Sequence, residues 1–130
     1  MSGAIEMYNQ KQNIFEQFKD VKNYFSPKII GEVNDVYVKI AKIKGQDVPW
    51  HTHSHEDELF YVLKGSLIME VKDKKPEALN EGDLYIVKSG VEHRVHTEQE
   101  CLLMLVENKG TKHTGEVKSE ITKAIDEQYY

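Results

Sequence analysis

The chain has 130 residues, 39% of them apolar and 30% charged, which is the size and balance of one soluble globular domain with enough apolar material for its own core. Its formal charge is −5 and Arg94 is its only arginine, so it lacks the basic surface that phosphate-backbone binding needs, and nucleic acid is not expected as a partner. The first residues carry no apolar export segment, the longest apolar run is "CLLMLV" at 101–106, and Cys101 is the only cysteine, which together point away from a membrane span and a disulfide framework and towards a reducing cytoplasm.

Residues 11–25, "KQNIFEQFKDVKNYF", place Ile14, Phe15, Phe18 and Val21 on one helical stripe. The pattern predicts a single amphipathic helix, ended at Ser26-Pro27 because the residue before proline is pushed out of the helical region. From Ile29 to Val106 the signal changes to short runs rich in Val, Ile, Leu and Tyr. "DVYVKIAKIKG", "ELFYVLKG", "SLIMEVKD", "DLYIVKSG" and "CLLMLVENKG" each read as a strand and its turn. The intervening "KDKKPEA" and "LNEGD" supply turn chemistry through Asp73, Pro76, Asn80 and Gly82. With no room for crossover helices, the fold class is all-β, an antiparallel sandwich or barrel. The expected organisation is one domain: a helical extension over 1–28, a barrel over 29–107, and a polar tail over 108–130 that serves as an edge strand, a short helix or an arm on a partner.

"PWHTHSHEDELFYVLKG", residues 49–65, holds the chemistry. Alternate residues of a strand share a face, so His51 and His53 can aim both imidazoles into one interior. Glu58 follows a short turn and returns a carboxylate beside them. Two neutral imidazoles and a carboxylate suit divalent iron, manganese, nickel, copper or zinc. Of the remaining histidines, His93 begins a strand-like run; if it faces inward, Val95 and Thr97 do too, while Arg94 and His96 face the other way.

These residues make the chain resemble the cupin superfamily. Gly45, His51, His53, Glu58 and Gly65 stand at every defined position of that family's first motif. Gly82, Gly90 and His93 match its second, in which Lys88 replaces a proline and Thr97 an asparagine. "SPKIIGEVND", "PWHTH" with "EDELF" and "VLKG", and a "KGT" and "TG" ending resemble small bacterial members loosely termed mannose-6-phosphate-isomerase-like. The resemblance spans roughly residues 12–116. It implies a jelly-roll β-sandwich with one divalent transition metal held by His51, His53, Glu58 and His93.

Several neighbours have plainer readings. His55 belongs to the turn, with a surface role favoured over proton transfer, and Asp57 reads as a solvated turn carboxylate. Phe60, Val62, Met69, Leu84, Ile86 and Met104 can line a cavity, although core packing is the default for each. Trp50 is expected at the barrel mouth. Lys88 reads as a solvated lysine rather than an anion site.

A metal with four protein ligands keeps open positions, and this separates a working site from a closed structural one. The expected function is a metal-dependent enzyme of isomerase, epimerase or dioxygenase class acting on a small oxygenated or sugar-related molecule. Its rival is a non-catalytic small-molecule binding or sensing module, and a metal that only stabilises the fold is a third option. Authentic phosphomannose isomerase activity is disfavoured, because the phosphate needs a fixed cation and the lone Arg94 points away by parity. Candidate acid–base groups beyond the ligands are His55, Tyr61, Tyr85 and His96. A homodimer is expected, built on the N-terminal helix and the "EQYY" end.

Overall fold

A computed structural model of the chain describes residues 8–46, 48–109 and 128. His113 and most of the "KGT" and "EQYY" segments and of the predicted tail therefore lie outside the described residues, which include only Asn108, Lys109 and Gln128 of the tail. Among the described residues, seven strands follow one short helix: α1 (Ile14–Gln17), then β1 (Lys28–Val33), β2 (Val36–Gly45), β3 (Glu58–Lys64), β4 (Ser66–Val71), β5 (Glu77–Asn80), β6 (Leu84–Val87) and β7 (His93–Asn108). Every strand pair is antiparallel, as the short connections require. The order across the main sheet is β1-β2-β7-β3-β6, and β4 pairs with β5 and β7.

The long β7 joins the two layers. Its first residues pair with β4, Val71 opposite His93, and its second half runs between β2 and β3, with Leu103 opposite both Ala41 and Val62. The inward residues of these strands alternate with outward ones and form the main core, including Ala41, Ile43, Phe60, Val62, Leu67, Met69, Leu103 and Leu105. Gly65 turns β3 into β4 with φ at +84°, and a Cβ there would lie 2.7 Å from the Glu100 carbonyl oxygen. Only glycine accepts both that conformation and that approach.

The structure corrects three expectations. The helix is one α-turn from Asn13, whose side chain caps the Glu16 amide, followed by a 3₁₀ turn over Phe18–Asp20. Phe18 and Val21 pack with Ile30 and Ile40 in a second, smaller core, but Phe15 is 54% exposed. A 3₁₀ turn advances about 120° per residue rather than 100°, so the stripe drawn at α-helical spacing rotates out of register. The second correction is β5: residues 77–80 pair with β4 despite their turn-like composition, because Leu79 lies opposite Leu67 and is buried. The third concerns Leu84 and Ile86, which are 54% and 51% exposed on the outer face of edge strand β6, outside the core. Cys101 is fully buried, and burial pushes its thiol up to about 12, so it packs as a small hydrophobe.

Candidate metal centre

Two stretches of backbone set the site. His51 and His93 exchange a pair of hydrogen bonds, His51 N–H donating to His93 O at 3.1 Å and His93 N–H to His51 O at 3.0 Å. The Gly90 amide donates to the His53 carbonyl at 2.8 Å, from a residue with φ at +81°. These contacts join the 51–58 segment to the start of β7 across some forty residues of chain. A further clamp lies outside: Asp57 accepts from Lys88 Nζ at 2.7 Å and from the Ser89 amide at 2.9 Å. Lys88 and Asp57 are therefore exposed partners of one another rather than free solvated groups.

His51, His53, Glu58 and His93 are all buried and each offers one ligand atom within 4.8 Å of the others. Two of the three rings are oriented from their outer side. His51 Nδ1 donates to the Pro49 carbonyl at 2.8 Å, and His93 Nδ1 to the Val91 carbonyl at 2.9 Å. A carbonyl can only accept, so both rings carry their proton on Nδ1 and turn the Nε2 lone pair inward. His53 Nε2 and His93 Nε2 each lie 3.3 Å from Glu58 Oε1. His51 Nε2 is buried with no hydrogen-bond partner among the described residues. Lone pairs that converge on a carboxylate repel unless a proton or a metal cation stands among them.

The electrostatics carry the same demand. Burial raises the Glu58 carboxyl, but the His53 and His93 imidazoles outweigh it and hold the group well below the usual carboxylate range. Burial lowers His53, and its contact with Glu58 outweighs that and raises it. Burial lowers His51 to about 4, so it is a neutral ligand at physiological pH. One buried carboxylate among three buried imidazoles is a donor set that fits a divalent ion.

Two further buried charges stand nearby and escaped the motif reading. Glu107 is the cross-strand neighbour of Glu58, and its Oε1 lies 2.8 Å from Lys39 Nζ, both side chains fully buried. Burial and the Glu58 charge push the Glu107 carboxyl up to about 8, against the smaller opposing pull of Lys39. The signal for both was period two. Tyr37, Lys39, Ala41 and Ile43, and Cys101, Leu103, Leu105 and Glu107, are successive inward positions of β2 and β7, each with one charge in an apolar series.

The other sequence candidates are dispersed. His55 is exposed. His96 faces away from the cluster, 3.5 Å from Glu70. Arg94 bonds Glu70 at 2.6 Å and stacks 4.7 Å from the Trp50 ring, so no guanidinium faces the cluster. Tyr61 is half-buried between Leu84 and Met104. Tyr85 alone packs against the main core. A cavity of about 50 Å³ opens beside the cluster, several times the roughly 10–15 Å³ that one water needs. His51, Glu58 and His93 are its polar lining; Ala41, Ile43, Phe60, Val95, Leu103 and Leu105 supply much of the rest.

Comparison with known proteins gives consistent results. The cupin domain model matches residues 42–107. The YdbB protein of Bacillus subtilis is 34% identical over 101 residues, covering 78% of this chain and 88% of its own length. A crystal structure of a cupin-2 domain protein from Shewanella frigidimarina superposes with a TM-score of 0.72 at 33% identity, covering 75% of this chain and 94% of that one. A protein from Neisseria meningitidis gives 0.69 at 26% identity, covering 77% and 100%.

Proposed function

The chain belongs to the cupin domain family, and from that premise we propose that it is a mononuclear metal protein whose ion is held by His51, His53, Glu58 and His93 and serves a small oxygenated molecule bound in the adjacent cavity. One observation carries the reading: both carbonyl-anchored rings, His51 and His93, direct a buried Nε2 lone pair into the space shared with Glu58. Such outer-side hydrogen bonds fix tautomer and ring angle before an ion arrives. A divalent ion there supplies Lewis acidity towards a carbonyl or hydroxyl oxygen, which suits isomerase, epimerase or oxygenase chemistry.

The residues of the chain contribute the rest. Phe60, Leu103 and Leu105 exclude water from the bound molecule. Asp57, through the Ser89 amide and the Lys88 ammonium, links the turn that leads into Glu58 to the 88–90 loop. No cation lines the cavity among the described residues, and Arg94 is engaged outside it, so a phosphosugar has no phosphate partner and the isomerase activity that the subgroup label suggests is not part of this reading.

One observation favours a second reading, a non-catalytic binding or sensing module: among the described residues, the cavity has no acid–base group other than the three candidate ligands that line it. Metal analysis of protein purified without added metal, run beside His93→Ala, tests what both readings share. The expected result is close to one divalent ion per wild-type chain and a loss of about a hundredfold in affinity in the variant. Wild-type and variant chains that both match a metal-free control defeat the proposal.

A further inference from the structure

The apolar lining defines the kind of molecule the site takes. Nine of the twelve cavity residues are apolar, and the other three are the candidate ligands His51, Glu58 and His93. A sugar presents a hydroxyl at almost every carbon, and each one buried without a partner is penalised. This wall has no protein partner to offer among the described residues beyond atoms already assigned to the ion.

Phe25 shows how the wall is completed. It has φ at +56°, a left-handed conformation rare for a bulky side chain. Its amide is held by the Lys42 carbonyl at 2.8 Å, and its ring, 5% exposed, packs into the main core and lines the cavity with Pro27 and Val48. The chain thus adopts an unfavourable backbone geometry at the residue that brings an aromatic surface to the metal-facing space.

We infer that the ligand is a small molecule with one metal-binding oxygen head and an apolar body, and that Phe25 sets the length of body admitted. This rests on the metal reading above for the head, and on the cavity alone for the body. The test is calorimetric titration of the metal-loaded full chain with acetohydroxamate, pentanohydroxamate and the polyhydroxylated five-carbon counterpart, which share one chelating head. Each added methylene should tighten binding about fourfold and the pentanoyl tail, three methylenes longer than acetyl, about sixtyfold overall, while the polyhydroxylated tail gains nothing. A flat series, or a preference for the hydroxylated tail, overturns the inference. In Phe25→Ala, compared at equal metal content, affinity should keep rising to longer tails; Phe25→Leu serves if the alanine variant does not fold, and an unchanged length limit overturns the role of Phe25. If the chain takes up no metal, the metal reading fails by itself and the body is read by adding pentan-1-ol to the metal-free protein. Shifts in the Ile43 and Leu103 methyl resonances then support the apolar cavity, and their absence overturns it.

Discussion

Two groups of buried polar side chains share the interior of this barrel, and they are built on opposite principles. Of His51, His53, Glu58 and His93, the first and last are held from behind by backbone carbonyls, and the ligand atoms of all four converge, with His51 Nε2 left without a hydrogen-bond partner among the described residues. Lys39 and Glu107, the latter directly across the sheet from Glu58, form a buried ion pair at 2.8 Å, and the Glu107 carboxyl also feels the Glu58 charge. The first arrangement is a convergent donor set that could hold a cation; the second is an ion pair. A buried pair contributes little net stability yet is damaging to break, whereas a preorganised ligand set is tolerated empty and stabilised when filled.

The largest effect should come from breaking the compensated pair. Lys39→Met leaves Glu107 buried without its cation, and urea unfolding should show a loss of about 3 kcal/mol, the low end of the range for such a deletion, because burial and Glu58 already press Glu107 towards its neutral form. The double variant Lys39→Met/Glu107→Leu should recover most of that loss, since apolar replacements of similar volume remove both charges together. If the double variant is as unstable as the single one, the pair is more than a self-compensated unit.

This contrast also explains what the sequence disclosed. The ligand cluster was legible because its members are set by local rules: strand alternation for His51 and His53, a turn length for Glu58, parity for His93 against His96. The strand count was nearly so, since apolar runs and turn residues mark β2, β3, β4 and β6 closely. Lys39 and Glu107 lie 68 positions apart, and only the pairing register of β2 and β7 brings them together. Local composition misled at Phe15, which stays exposed in an α-turn that gives way to a 3₁₀ turn at Phe18, and at Leu79, where tertiary pairing overrode turn-like neighbours. Phe25 gave no sign at all, because a left-handed backbone at a phenylalanine is dictated by its contact with Lys42 and not by its residue type.

The next effect sharpens the other half of the comparison. The main core is a continuous apolar cluster that includes residues from Phe25 to Leu105, large enough that the fold should stand without an ion. After chelation the chain should keep its β-sheet circular dichroism and a cooperative melt. Refilling should then add about 2.7 kcal/mol when free metal stands at a hundred times its dissociation constant, by mass action on the folded state alone. A chain that unfolds when its metal is removed makes the ion a structural staple instead.

The smallest effect concerns the clamp on the outside of the same loop. Lys88 stands where the family's second motif carries a proline, and its ammonium reaches Asp57, the residue directly before Glu58. Both partners are solvent-exposed, so the pair is screened and worth little. Asp57 also keeps the Ser89 amide at 2.9 Å when the lysine is gone, and the carbonyl anchors of His51 and His93 do not involve either residue. Lys88→Ala should therefore leave metal content equal to wild type by elemental analysis. A clear loss of metal would mean that the turn depends on the ion pair to hold Glu58 in place, and that the ligand set is less preorganised than its buried hydrogen bonds imply.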